Sequence, residues 1–236
     1  MDIEETREKI LIQQEEKVNR FFEENSVSIF DYRDFICHFP YKKQAFQILR
    51  KNWKSTHSRY LIRFFSIYGD RDMVRLNREK LFETVESRKE FIFKVLLWGY
   101  PTKGRGNNID KILEADNLDK LRVIVDKYKN NNISTEELEK DISEINGLGI
   151  STMSKFLYFL NAKIDGFKAL ILDDQIMSVI NEKRIIELND LSKFLRSNAV
   201  KKYSQYLEKM ERLSKEMECE PDQIEIFLYS FGKNIS

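Results

Sequence analysis

Histidine, cysteine, proline and glycine are all scarce in this chain of 236 residues: two, two, three and eight respectively. The two histidines (His38, His57) and two cysteines (Cys37, Cys219) argue against a dedicated zinc site or an iron–sulfur cluster, each of which takes several such ligands. So few cysteines fit a reducing compartment better than a disulfide scaffold, with pairing of the two thiols left open, so a cytoplasmic protein is expected. No apolar run approaches the roughly 18 residues that suggest a membrane span. The first residues, MDIEETREKI, are acidic and amphipathic and do not read as a signal peptide. With so little glycine and proline there is also little punctuation for β-turns. What the chain does have is 42% hydrophobic residues, 33% charged residues, 17 Phe and 10 Tyr. That is enough to build a core for one large or two small domains.

Apolar residues recur at helical spacing almost throughout. The spacing predicts helices over 1–25, 29–38, 41–53, 56–68, 73–83 and 84–99, the last ending before Pro101. Further helices are expected over 109–115, 118–129, 135–145, 151–162, 174–184, 189–196, 200–217 and 221–232. The one at 135 opens on a cap-like Ser134-Thr135-Glu136-Glu137 stretch. YKNNNIST, residues 128–135, is the best candidate for an exposed connection. No internal repeat or low-complexity linker divides the chain. The expectation is an all-α fold, one unit over 1–236, with 1–100 as a candidate N-terminal helical sub-domain.

The formal net charge of +1 hides an uneven distribution. Residues 1–25 carry eight acids against four bases, whereas Tyr41 to Gly69 carry seven bases and no acid. Read as a helix, this basic stretch interleaves Lys42, Lys43, Lys51 and Lys54 with Trp53, Tyr60 and Phe64. Two readings stand: a solvated helix face, or a surface that contacts nucleic-acid phosphates.

Two of the eight glycines, Gly147 and Gly149, fall in INGLGISTMSKFL, residues 145–157. Hydrophobic–x–Gly–hydrophobic–Gly between helical segments is the core pattern of a helix-hairpin-helix motif, here about 135–162. Glycine allows the tight turn and close backbone approach. The helix starting at Ile150 then presents bare N–H groups to a phosphate, with Leu148 and Ser151 beside them. A plain αα-hairpin with a glycine turn has the same pattern. Within the second helix, Met153, Phe156, Leu157 and Leu160 are expected to pack inward, while Ser151 and Lys155 share another face. Downstream lies LILDDQIMSVI, residues 170–180: an apolar run, a carboxylate, and another helix. Taken alone, Asp173 reads as an ordinary N-cap.

Hairpin, helix, short loop and an Asp at the head of the next helix, in that order, resemble the helix-hairpin-helix DNA glycosylase superfamily. With LLWGYPTKGRGNNIDKI upstream and DQIEIFLYSFG near the C-terminus, the chain resembles its 8-oxoguanine-glycosylase-like bacterial branch over about residues 90–232. The resemblance implies a monomer, not associated with membranes, that acts on double-stranded DNA carrying a modified base. Such an enzyme flips the base out of the stack and cleaves its N-glycosidic bond. The resemblance implies that Asp173 faces the sugar, with Asp174 as the register alternative. An ionised carboxylate there stabilises the oxocarbenium-like charge that develops. It implies no cofactor, unless a monovalent cation sits at the hairpin backbone carbonyls.

One departure matters. Bifunctional members carry a lysine two residues after the second hairpin glycine, and here that position is Ser151. Adenine glycosylases of the superfamily have a similar serine, but their iron–sulfur cluster needs four cysteines and this chain has two. Lys155 lies one turn later and is read as solvated or phosphate-bound, with attack on the sugar the less favoured role. The expected enzyme is monofunctional, with water as nucleophile and an abasic site as product. Trp98, Tyr100, Phe227 and Phe231 are the candidate walls of the base pocket, with Tyr229 turned away from the last two; each is also a candidate core residue. Lys103, Arg105, Asn107 and Asn108 form a loop that reaches either the DNA or only solvent. The target base does not follow from the sequence, and a modified base in foreign DNA, such as that of a phage, stands beside oxidised bases. The rival functions are a non-catalytic helix-hairpin-helix DNA-binding protein and an all-helical interaction protein.

Overall fold

A computed structural model describes residues 26–53, 64–104 and 106–235. The predicted helix over 1–25 and most of the one over 56–68 lie outside the described residues, and residues 64–68 are helical. A 3-10 turn, Ile29–Tyr32, runs into α1 (Arg33–Cys37). Next come a 3-10 turn Tyr41–Lys43, strand β1 (Ala45–Leu49), a 3-10 turn Arg50–Trp53 and strand β2 (Met73–Asn77). The predicted helices over 41–53 and 73–83 are therefore corrected. In β2, buried Val74 and Leu76 alternate with exposed Met73 and Arg75, the two-residue period of a strand with one face in the core. Antiparallel pairing sets Phe46 opposite Leu76 and Ile48 opposite Val74. Each segment needs the other, distant in sequence, to satisfy its backbone. At Asn77 the strand hands over to α2 (Arg78–Glu83), the Asn77 side chain accepting from Lys80 N at 3.0 Å as an N-cap.

The remaining helices follow the sequence reading more closely. They are α3 (Arg88–Gly99), α4 (Asn108–Ile112), α5 (Ala115–Tyr128), α6 (Thr135–Ser143) and α7 (Ile150–Phe159). After them come α8 (Asp174–Asn181), α9 (Tyr203–Met217) and α10 (Pro221–Phe231). The all-α expectation is corrected further by a small second sheet. Strand β3 (Asn132–Ile133) comes from the stretch expected to be a connection; it runs parallel to β4 (Lys163–Ile164), which pairs antiparallel with β5 (Phe167–Lys168). The predicted helix over 189–196 is absent. A 3-10 turn occupies Ile186–Leu188, and the Asn181 side chain satisfies the next segment, bonding both Phe194 N and Phe194 O at 2.7 Å. With its peptide groups bonded there, this segment has no need of a helical ladder.

Helix α7 is the centre of the fold: every residue in it except Ser151 is buried. It packs on α3, while α10 packs on α8 and α9. A helix buried on all sides is usually apolar all round; this one carries Lys155. Among the described residues no helix is long and apolar enough to cross a membrane.

Candidate active site

The apolar run Leu170–Leu172 is buried extended chain, so its peptide groups must find partners inside the protein. Hydroxyl groups supply them. Tyr203 donates to Leu170 O, Tyr206 donates to Ile171 O at 3.1 Å, and Ser154 Oγ accepts from Leu172 N at 3.1 Å. These three anchors deliver the next residue, Asp173, to the head of α8. Its Oδ1 accepts from Gln175 N at 3.0 Å and from Ile176 N at 3.1 Å. One oxygen does all the capping, and among the described residues Oδ2 has no hydrogen-bond partner. Asp174 points elsewhere: it is exposed, lies 3.3 Å from Arg196, and borders a separate cleft with Lys193 and Ser178.

Asp173 lines a cavity of about 60 Å³, room for several water molecules. Lys155 and Gly99 border it beside Asp173, and Phe46, Trp98 and Tyr229 give it aromatic walls. Gln44, Arg78 and Glu225 complete the polar lining. Arg78 and Glu225 are each 1% exposed and form a two-bond pair, Nη1 to Oε2 at 2.6 Å and Nη2 to Oε1 at 3.1 Å. The Arg78 guanidinium also sits 4.9 Å from the Tyr158 ring and 5.6 Å from the Trp98 ring. Burial pushes the Glu225 carboxyl above its ordinary pKa, against the pull of the guanidinium. Such a pair is costly to break, because either member left alone is an uncompensated buried charge.

Lys155 is 5% exposed, which corrects the reading of a solvated or phosphate-bound side chain. Its Nζ donates to Ser151 O at 2.5 Å and lies 5.7 Å from the centre of the Tyr100 ring. A Cβ at Gly99 would fall 2.7 Å from Lys155 Cδ, so the glycine at the end of α3 leaves the lane through which the lysine stem runs. Burial lowers the pKa of the Lys155 amine, only partly offset by Asp173 and Glu225. The cavity thus brings together an amine pushed toward its neutral form and a carboxylate with one unused oxygen.

The turn between α6 and α7 uses its two glycines differently. Gly147 has φ +85°, and a Cβ there would lie 2.8 Å from Asn108 O and 3.0 Å from Lys111 Cβ. It is needed for the turn and for packing on α4. Gly149 is the N-cap of α7 with φ −132°, and a Cβ there meets nothing within 4 Å. Thr152 N and Met153 N both donate to Gly149 O, at 3.0 and 2.9 Å. Among the described residues no backbone or side-chain acceptor takes Ile150 N or Ser151 N. Leu148 and Ile150 are buried, and Ser151 is half-buried.

The other predicted residues divide. Trp98 lines the cavity; Tyr100 flanks Lys155 and hydrogen-bonds Thr152 Oγ1. Phe227 and Phe231 do not reach the cavity. They pack instead with Tyr32, at 5.3 Å, and Phe35, at 5.2 Å, respectively. Helix α10 turns Glu225 and Tyr229, four residues apart, toward the cavity instead. Lys42, Lys43 and Lys51 are exposed but lie on 3-10 turns rather than on one helix face. Lys103 is largely covered and ion-paired with Asp110 at 3.0 Å. Asn107 and Asn108 are exposed at the start of α4. Lys54 and Arg105 lie outside the described residues. Gln44, Phe46, Arg78 and Glu225 were missed, and only Glu225 left a trace, as a lone carboxylate inside the apolar run IEIFLY.

No curated protein and no solved structure matches the chain. A family model described as "Putative 8-oxoguanine DNA glycosylase OGG-like protein" matches residues 40–229, a span that contains every residue named above as lining the Asp173 cavity. With that span covering most of its length, the chain belongs to this OGG-like family.

Proposed function

We propose that the protein is a DNA glycosylase that receives a flipped, modified base at the Asp173 cavity and cleaves its N-glycosidic bond. The observation that carries this reading is that a carboxylate with a free oxygen and a buried amine whose pKa is lowered by burial border one cavity. Asp173 opposes the positive charge that builds on the sugar as the bond stretches. The uncapped N-terminus of α7 supplies N–H groups for a backbone phosphate. The nucleophile is the Lys155 amine. Its lone pair forms a bond to the sugar carbon C1′ as the bond from C1′ to the base breaks, and the base leaves with that bonding pair. The amine loses a proton, which ends on the departing base directly or through water. Sugar ring opening leaves an iminium, and its hydrolysis returns the amine and an abasic site. Elimination of the 3′ phosphate from the iminium nicks the strand instead.

A second reading has a specific observation in its favour. Ser151 stands where the resemblance places the lysine of bifunctional members, which favours water as nucleophile and an abasic site as sole product. One experiment separates the readings. Duplexes carrying a panel of modified bases are incubated with protein, then treated with heat, with alkali, or with borohydride. A borohydride-trapped adduct that vanishes in Lys155→Met supports the amine; alkali-labile sites without an adduct favour water. In Asp173→Asn the capping oxygen is kept and the charge is lost, and the rate is expected to fall on the order of a hundredfold or more. Full activity in that variant, or no cleavage of any duplex by the wild type, refutes the glycosylase assignment of this cavity.

A further inference from the structure

We infer that Gln44 is a specificity-determining residue whose side-chain amide donates to a carbonyl oxygen of the base in the cavity, an inference that rests on the glycosylase reading above. Gln44 is joined to Arg78 twice. Its backbone O accepts from Arg78 N at 3.1 Å, and its Oε1 accepts from Arg78 Nε at 2.6 Å. A guanidinium only donates, so the Gln44 amide must turn its oxygen to Arg78 and its NH2 group away. Flipping the amide would set donor against donor. Arg78 cannot move aside to allow this, because it is held by both oxygens of Glu225 and lies against the Trp98 and Tyr158 rings. Among the described residues the Gln44 amide nitrogen has no hydrogen-bond partner, and Gln44 lines the cavity.

The other walls leave this amide to do the reading. Phe46, Trp98 and Tyr229 offer ring surfaces, and the Tyr229 hydroxyl both donates and accepts, so none of the three separates a keto from an amino base. Arg78 and Glu225 spend their charge on each other, and Lys155 and Asp173 serve the sugar. A base with a carbonyl against Gln44 gains a hydrogen bond. A base with an exocyclic amino group there buries two donors face to face, the arrangement that polar sites reject most strongly. The pocket therefore selects keto bases over their amino counterparts.

The test is kcat/KM on duplexes whose damaged bases carry, at the edge that meets Gln44, a carbonyl or an amino group at purine C6 or pyrimidine C4: 8-oxoguanine against 8-oxoadenine, and 5-hydroxyuracil against 5-hydroxycytosine. The wild type is expected to prefer the keto member of each pair by about tenfold or more, the scale of one hydrogen bond gained against one donor clash avoided. Gln44→Glu keeps the size and the acceptor for Arg78 but replaces the amide donor with an oxygen, and it is expected to reverse the preference. Gln44→Leu is expected to bring the ratio near unity, by loss of the hydrogen bond on the keto substrates and relief of the donor clash on the amino ones, with thermal melting as the check on folding. Equal wild-type rates on both members, or an unchanged ratio in Gln44→Glu, overturns the assignment and leaves the glycosylase reading standing. A wild type that cleaves no duplex in the panel overturns that reading, and this inference with it.

Discussion

Two glycines one residue apart offer a double dissociation. At Gly147, alanine must adopt φ +85° with its Cβ 2.8 Å from Asn108 O. A non-glycine residue in such a backbone region costs about 1–3 kcal/mol before any clash is counted. At Gly149 the backbone is extended at φ −132°, and the space around a new Cβ is empty. Aspartate there is a good N-cap and sits favourably at the helix dipole, so the fold should hold its stability or gain up to about 1 kcal/mol. The same carboxylate takes the place of the proposed phosphate. Two unit charges about 4 Å apart repel by about 1 kcal/mol in bulk water and about 4 kcal/mol at the effective dielectric of a protein surface. The affinity loss is then about fivefold to several hundredfold. The added negative charge also lowers the slope of log K against log salt, by up to about 0.9 for one charge. The assays are thermal melting and fluorescence-anisotropy titration of a duplex at several salt concentrations. Gly147→Ala should melt early, whereas Gly149→Asp should melt normally and bind weakly. Normal binding and an unchanged salt slope in folded Gly149→Asp would refute the placement of a phosphate at α7.

Two further outcomes are expected. Lys155 has a folded-state pKa below its ordinary value of 10.5, so the unfolded chain holds that proton more tightly and the buried lysine destabilises the fold at neutral pH. That penalty is full below the folded pKa and fades as pH rises toward the unfolded value. Lys155→Met should accordingly gain melting temperature over the wild type near pH 7 and lose most of that gain near pH 10; a gain independent of pH counts against the depressed amine. Glu225→Gln should cost about 3–5 kcal/mol by leaving Arg78 as an unpaired buried charge, or roughly 6–20 °C in Tm for a chain of this size. A shift of a degree or two in calorimetry would mean that the pair contributes little.

What was legible in the sequence was what neighbouring residues determine. Ser134 caps α6 through Glu137 N at 3.2 Å, and Pro221 opens α10 behind a Glu220–Gln223 capping box. Such signals lie within one turn of chain, and those helices were placed within a few residues of their ends. Asp173 was legible for the same reason, as a carboxylate ahead of a helical run. Strands β1 and β2 were not, because the Ile48–Val74 and Phe46–Leu76 pairs join segments separated by more than two dozen residues. Each segment alone has spacing that a helix also accepts. The basic stretch goes with them: Lys42, Lys43 and Lys51 lie on 3-10 turns, not on one helix face.

Lys155 marks the point where local reading and fold disagree. Its spacing from Ser151 was visible in the sequence, and so was the apolar helix around it; what could not be seen was that Gly99, from another helix, opens a lane for its stem. A lysine inside a helix buried on nearly every side costs stability that leucine or methionine at the same position would not. Proteins retain such costs where a group has to act, and a depressed amine beside a carboxylate is a recurrent form of it. The same holds for Arg78 and Glu225: a buried ion pair is weak evidence for stability, but it holds the Gln44 amide in one orientation, which a hydrophobic pair of equal volume does not do. Lys155 and the Arg78–Glu225 pair border the same cavity, one beside Asp173 and one behind Gln44.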